Sequence, residues 1–301
     1  MKTFTHSIRT QALLVLSGVT ALALVPAAWA GEKIERTLQM PADGLVVVEN
    51  VAGTVEFIGW NRDEVEVRGE AGDGVEEVQI DSTSKGVHVR IVNHKNKRHI
   101  DGTDLLLRVP ERANVEAETV SADVTVKGLR GGNINLQTVS GDIEVEAAPQ
   151  RIELQSVSGD VEFEGETQRS SFESVSGEIV VVGAAGEISA KTVSGDVSLE
   201  GGALNQGRFE AVSGDLVLRL SVNDGGRVSC DSMSGDVKLS LPSRQQAEFE
   251  AQSFSGSIHS DFGESVRVSR GPGVMLEHRV GDSGAKVRLE SFSGDISIRS
   301  R

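Results

Sequence analysis

The stretch "QTVSGDIEVEAAPQRIELQSVSGDVEFEG", from Gln137 to Gly165, contains one phrase twice: Val-Ser-Gly-Asp followed by Ile or Val. Ser158 follows Ser140 by 18 residues. Apolar and polar residues alternate on both sides of the phrase, as in Ile143-Glu144-Val145 and Val161-Glu162-Phe163. Alternation of period two predicts short strands. Ser, Gly and Asp between them predict a turn, because Gly has permissive backbone angles and Ser and Asp side chains bond nearby N–H groups. The phrase therefore reads as a corner between two strands, with the strict zigzag broken between the small residue before Val and the Val itself.

The corner recurs with its Ser at 121, 140, 158, 176, 194, 213, 234, 255 and 293, with gaps of 19, 18, 18, 18, 19, 21, 21 and 38. Ala122 replaces Gly in the first copy and Ser257 replaces the acid in the copy at 255. A degenerate copy, "NVAGTVEF", spans Asn50 to Phe57. Four residues before the Ser the column reads Ala117, Leu136, Leu154, Phe172, Ala190, Phe209, Cys230, Ala251 and Leu289. Three after it every residue is Val, Ile or Leu, and two before it only Thr, Ser or Ala occurs.

A unit of 18 residues cannot bury its own apolar face, but stacked copies can. The pattern predicts an all-β fold, a single-stranded right-handed parallel β-helix (β-solenoid) with rungs of about 18 residues. Ten rungs at about 4.8 Å give a rod of roughly 45–50 Å. The 38-residue gap predicts a rung that lost its phrase near "VRVSRGPGVMLEHRV". Residues 58 to 112 leave the register yet still alternate, which predicts extra strands inserted after the first rung as a side or cap. The organisation is thus 1–30 as a leader, 31–112 as a first rung plus irregular strand-rich insertion, and 113–301 as the repeat, continuous with what precedes it.

Lys2 and Arg9, the apolar run Ala12 to Val25 and the small residues Ala28 and Ala30 make the three-part pattern of a secretory signal peptide, cut after Ala30. That run is shorter than the roughly 20 residues of a membrane span, and no later run could cross a bilayer. The expected location is periplasmic or secreted. Without Lys2 and Arg9, 28 bases face 45 acids, a net of −17. Such a surface disfavours nucleic acid and anionic lipid and favours cationic partners. Cys230 is the one cysteine, so no internal disulfide forms.

The sequence resembles the bacterial Toastrack-type adhesin family, a domain of unknown function built from β-strand repeats. The likeness rests on the "VSGDV" corners, on "VENVAGTVEFIGWNRDEVEV" (48–67) and on "GDSGAKVRLESFSGDISIR" (281–299), and covers about residues 45 to 300. It implies a right-handed β-helix outside the cytoplasm and an adhesin-like or envelope-stress role. It supplies no catalytic motif.

Two clusters stand out as binding candidates. One is an acidic ridge made by the corner column Asp123, Asp142, Asp160, Glu178, Asp196, Asp215, Asp236 and Asp295. Stacked charges about 5 Å apart repel by roughly 1 kcal/mol even in water, so the column is either a ridge for cationic ligands or a row of turn acids bonded to backbone at their own corners. The other is the basic loop Lys95, Lys97 and Arg98, flanked by His94 and His99, which could hold phosphate or carboxylate groups. Nine identical serines cannot all be nucleophiles, Cys230 sits in an apolar column, and His88, His259 and His278 lack metal-ligand spacing. The expectation is an exported module without enzymatic activity, cofactor or metal, which binds an envelope protein or glycan. The alternatives are an enzyme acting on polysaccharide from a β-helix scaffold and an envelope scaffold that self-associates end to end.

Overall fold

The computed structural model describes residues 33–94, 101–267, 272–282 and 284–301. The leader with its cut after Ala30 and the basic residues Lys95, Lys97 and Arg98 lie outside the described residues. All 23 strands belong to one hydrogen-bonded sheet, and no helix occurs among the described residues.

The chain begins with β1 (Lys33–Gln39), β2 (Leu45–Trp60), β3 (Glu64–Glu70), β4 (Val75–Thr83), β5 (Gly86–Asn93) and β6 (Thr103–Pro110). The repeats follow as β7 (Asn114–Arg130), β8 (Asn133–Ser140) and β9 (Ile143–Ala148), then β10 (Arg151–Ser158), β11 (Val161–Glu164), β12 (Arg169–Ser176) and β13 (Ile179–Val182). Next come β14 (Gly186–Ser194), β15 (Val197–Ser213), β16 (Leu216–Ser234) and β17 (Val237–Leu241). The chain closes with β18 (Ala247–Ser255), β19 (Ile258–Ser260), β20 (Val266–Arg267), β21 (Val274–Val280), β22 (Lys286–Ser293) and β23 (Ile296–Ser300).

Repeat pairs with repeat, in parallel and in the register that the sequence columns predict. Leu154 lies beside Leu136 on one side and Phe172 on the other, and Phe163 beside Val145 and Val181. Each tier thus has two walls joined by the phrase. The inward columns are buried throughout, including the fully enclosed Phe57, Phe163, Phe172, Phe209 and Phe249. Burying each such ring contributes about 1.5–3 kcal/mol, and no disulfide is available to replace that term.

Both ends depart from sequential stacking. At one end β2 packs against β7, while β5 and β6 lie on the far side of β2, so Val48 is flanked by Val89 and Ala117. The strands after the first corner lie outside β2, with β4 and β3 antiparallel on β5 and β6, and β1 antiparallel on β3.

At the other end the expectation fails. The tier of Ser293 is not stacked beyond that of Ser255. It is inserted between the tiers of Ser234 and Ser255, because Ser293 pairs with both. Nor does "VRVSRGPGVMLEHRV" supply a rung without its phrase: β21 runs antiparallel along β18 and closes the stack. The 38-residue gap is the path of a chain that builds the outer tier, covers it, and returns to fill the place beneath.

Candidate functional site: an apolar groove beside the corners

The corner acids do come together, as a ladder between tiers rather than as turn acids bonded within their own corners. Asp123 accepts the N–H of Asp142 on Oδ1 at 3.0 Å, and Asp142 accepts that of Asp160 at 2.9 Å. Asp160 accepts from Glu178 at 2.8 Å, and Asp196 from Asp215 at 2.8 Å. The chain of acceptors then runs Asp215 to Asp236, Asp236 to Asp295, and Asp295 to Ser257. In return the N–H three residues after each Ser donates to the acid's carbonyl in the next tier, as from Val161 to Glu178 at 2.9 Å. The acids thus tie neighbouring corners together. Ser257 lacks a carboxylate because its tier is outermost and has no successor whose N–H needs an acceptor. Its hydroxyl instead donates to Asp295 at 2.9 Å. Among the described residues no three His, Cys, Asp or Glu side chains converge as metal ligands do.

The corner glycine answers to spacing more than to backbone angle. Gly177 is not in a positive-φ conformation, yet a Cβ there would lie 2.2 Å from the carbonyl oxygen of Gly159 in the tier before it. Gly141, Gly159 and Gly195 face the same obstacle at 2.1–2.3 Å.

Alternation does not break before the Val of the phrase, contrary to the expectation from sequence. It continues through that residue, so the Val points outward and the break falls after it. The consequence is a ladder of exposed apolar side chains, one per tier: Val120, Val139, Val157, Val175, Val193, Val212, Met233, Phe292 and Phe254 in spatial order. Val139 is 48% exposed and Phe292 is 58% exposed. Phe292 and Phe254 stack with centroids 4.9 Å apart and planes 7° apart, another mark of the inserted tier.

This stripe forms one wall of an open groove of about 1320 Å³. Two residues back along each strand, the other wall carries Glu118, Gln137, Gln155, Glu173, Lys191, Glu210, Asp231, Glu290 and Gln252. Five acids face one base there, a net of −4. Burial first, then the Glu290 and Glu210 carboxylates in adjoining tiers, push the Asp231 carboxyl above its ordinary range. Between the walls lies the small-residue column. Ser253 and Ser232 donate there to the corner carbonyls of Gly294 and Gly235. In four successive tiers Thr138, Ser156, Ser174 and Thr192 keep buried hydroxyls without a partner.

Two other features with chemistry-bearing side chains lie away from the groove. Glu49 is held by His88 at 2.8 Å and by two bonds from Arg90, an exposed structural triplet whose guanidinium holds Glu49 below the usual carboxylate range. Cys230 is enclosed in its apolar column, and burial pushes its thiol far up. Sequence reasoning misses the groove because an outward apolar residue next to a turn reads as part of the turn. The signal is that all nine repeats carry Val, Met or Phe at one outward position.

The chain matches the family model described as "Toastrack DUF4097" over residues 48–224 and 210–299. A crystal structure of a "putative adhesin" from Bacteroides fragilis is similar at 13% identity and a TM-score of 0.44, covering 89% of this chain and 97% of that one. Another, from Parabacteroides distasonis, is similar at 11% identity and a TM-score of 0.47, with the same coverage. No curated protein matches the chain.

Proposed function

This chain belongs to the Toastrack DUF4097 family, and from that premise we propose that it is an exported, non-enzymatic, adhesin-like binding module of the bacterial cell envelope. In this reading the stack is a right-handed β-solenoid of about 18-residue rungs, and its ligand lies along the apolar groove. One observation carries the reading: an unbroken outward row of nine apolar side chains in a chain whose surface is otherwise strongly charged. Scattered exposed apolar residues need no explanation, but a contiguous apolar strip flanked by polar residues marks an interaction surface. Uniform tiers suit an elongated ligand better than a reaction at one point, which would need one tier to differ from its neighbours.

The test is to compare residues 31–301 with a variant carrying Val157→Ser, Val175→Ser and Val193→Ser. Both are melted, then assayed for binding to immobilised envelope proteins and glycans. The three valines are half-exposed, so the variant should melt like the parent and lose binding. Equal binding by the two proteins would remove the groove from the function. Turnover of an envelope polysaccharide by the parent would favour the enzymatic alternative instead.

A further inference from the structure

We infer that the groove takes an extended polypeptide segment that is apolar along one side and basic along the other. The inference rests on the groove being the binding surface and adds the chemistry of its occupant. The apolar row and the polar row, five of whose nine residues are acids, stand two residues apart along each strand, hence about 7 Å from each other, and run side by side along the stack. An extended chain sends alternate side chains to opposite sides. Laid between the rows along the stack, it places one set of side chains on Val212, Met233 and Phe292 and the other set on Glu210, Asp231 and Glu290, and continues over Val157, Val175 and Val193 beside Gln155, Glu173 and Lys191.

Charge decides the second set. The polar row has a net of −4, and its densest part is the run Glu210, Asp231 and Glu290 in adjoining tiers, three acids set against Arg208 and Arg288, which pair with Glu210 and Glu290. Burial first, and then Glu290 and Glu210, hold the Asp231 carboxyl above its ordinary range, with Arg288 and Arg208 acting against them. A Lys or Arg in the occupant would relieve this repulsion, and an acidic occupant would add to it. The same argument disfavours a second copy of this chain, which would bring the acidic rows of two strongly acidic molecules together. The row of nine apolar residues spans eight steps of about 4.8 Å, or about 38 Å, which an extended segment covers with about twelve residues.

The experiment uses residues 31–301 and labelled synthetic peptides, read by fluorescence anisotropy. A peptide of about twelve residues alternating Lys and Val should bind, and affinity should rise with length up to that value and then level off. A peptide alternating Glu and Val, and one of the same Lys and Val content arranged at helical period, should bind at least about tenfold more weakly, a loss that two or three surface charge pairs can supply. Replacing Glu173→Gln, Glu210→Gln and Asp231→Asn together should weaken the Lys–Val peptide by a similar factor and flatten its salt dependence, with the melting transition retained. Val157→Ser, Val175→Ser and Val193→Ser together should abolish binding. If the Glu–Val or the helical-period peptide binds as well as the alternating Lys–Val one, and binding still depends on the valines, the inference falls while the groove remains the binding surface. It falls in the same way if the valines mediate only glycan binding or self-association. If no ligand depends on the valines, both the inference and the reading beneath it fall.

Discussion

Replacing Gly177 by Ala separates two reasons for a glycine. The new Cβ would stand 2.2 Å from the carbonyl oxygen of Gly159 and 2.8 Å from its carbon. Relief needs a shift of about 1 Å between two tiers that are otherwise about 4.8 Å apart. Overpacking of this kind costs about 1–3 kcal/mol. The shift also strains the cross-tier bonds beside it, Val161 N–H to Glu178 O at 2.9 Å and Glu178 N–H to Asp160 Oδ1 at 2.8 Å. At about 0.5–1.5 kcal/mol for each weakened bond, the sum reaches roughly 2–6 kcal/mol. Gly131 is the control: its φ is +81° and a Cβ there would meet nothing within 4 Å, so Gly131→Ala carries only the left-handed strain of about 1–2 kcal/mol. Thermal melting followed by circular dichroism should show Gly177→Ala about 5–15 °C below the parent and Gly131→Ala only a few degrees below. Because each tier touches only its neighbours, Gly177→Ala should also broaden or split the transition. A Gly177→Ala protein that melts like the parent, or a Gly131→Ala protein that loses as much, would refute the close-approach argument.

Four further outcomes follow from the same tiers. Ser174→Ala removes a buried hydroxyl that has no partner and should be neutral or stabilising by up to about 1 kcal/mol, as Ala211 in the same column suggests. Ser253→Ala removes a 2.9 Å bond to Gly294 and should cost about 1 kcal/mol in denaturant titration. The N–H and hydroxyl of Ser257 hold Asp295 below the ordinary Asp value of 3.8. Its contribution is therefore full above that value and is lost as pH falls through the lowered folded value, so the protection of the Ser257 amide relative to its intrinsic exchange rate should fall in acid, and Asp295→Asn should remove that dependence. Finally, Cys230 is enclosed and its thiol is shifted up by burial and then by Asp231, so thiol reagents should label it only at the rate of unfolding; rapid labelling of the native protein would contradict the packed column.

The repeat itself was legible because each inward column keeps its character, apolar or small: Leu136, Leu154 and Phe172 occupy equivalent places and do stack. The order of tiers near Ser255 was not legible, for a physical reason. Cys230, Leu289 and Ala251 fit one column in any order, and the inserted tier makes the contacts that a sequential one would make. A clue was present in Ser257, whose corner is the outermost of its end and has no successor N–H to accept. The corner acids share one ladder whose direction required hydrogen-bond geometry that composition does not carry. The apolar groove was visible as nine outward Val, Met or Phe residues and was hidden by the assumption that the turn had already begun.

The inserted tier also sets a problem of timing. β18 and β19 are made before β22 and β23, and present the same columns and nearly the same corner. Until residues 286–300 exist, the open edge of the Ser234 tier has a ready and well-matched partner in the Ser255 tier. Ser257 could offer its N–H to Asp236 in the way it offers it to Asp295 in the finished stack. The growing chain therefore meets a compact state that is wrong by one whole tier rather than by one residue, with no side chain turned to the wrong face. Reaching the native order requires that junction to be kept apart, or opened again, so that the last strands can enter. Slow, late strand insertion is a cost of interleaving that a sequentially wound stack would not meet.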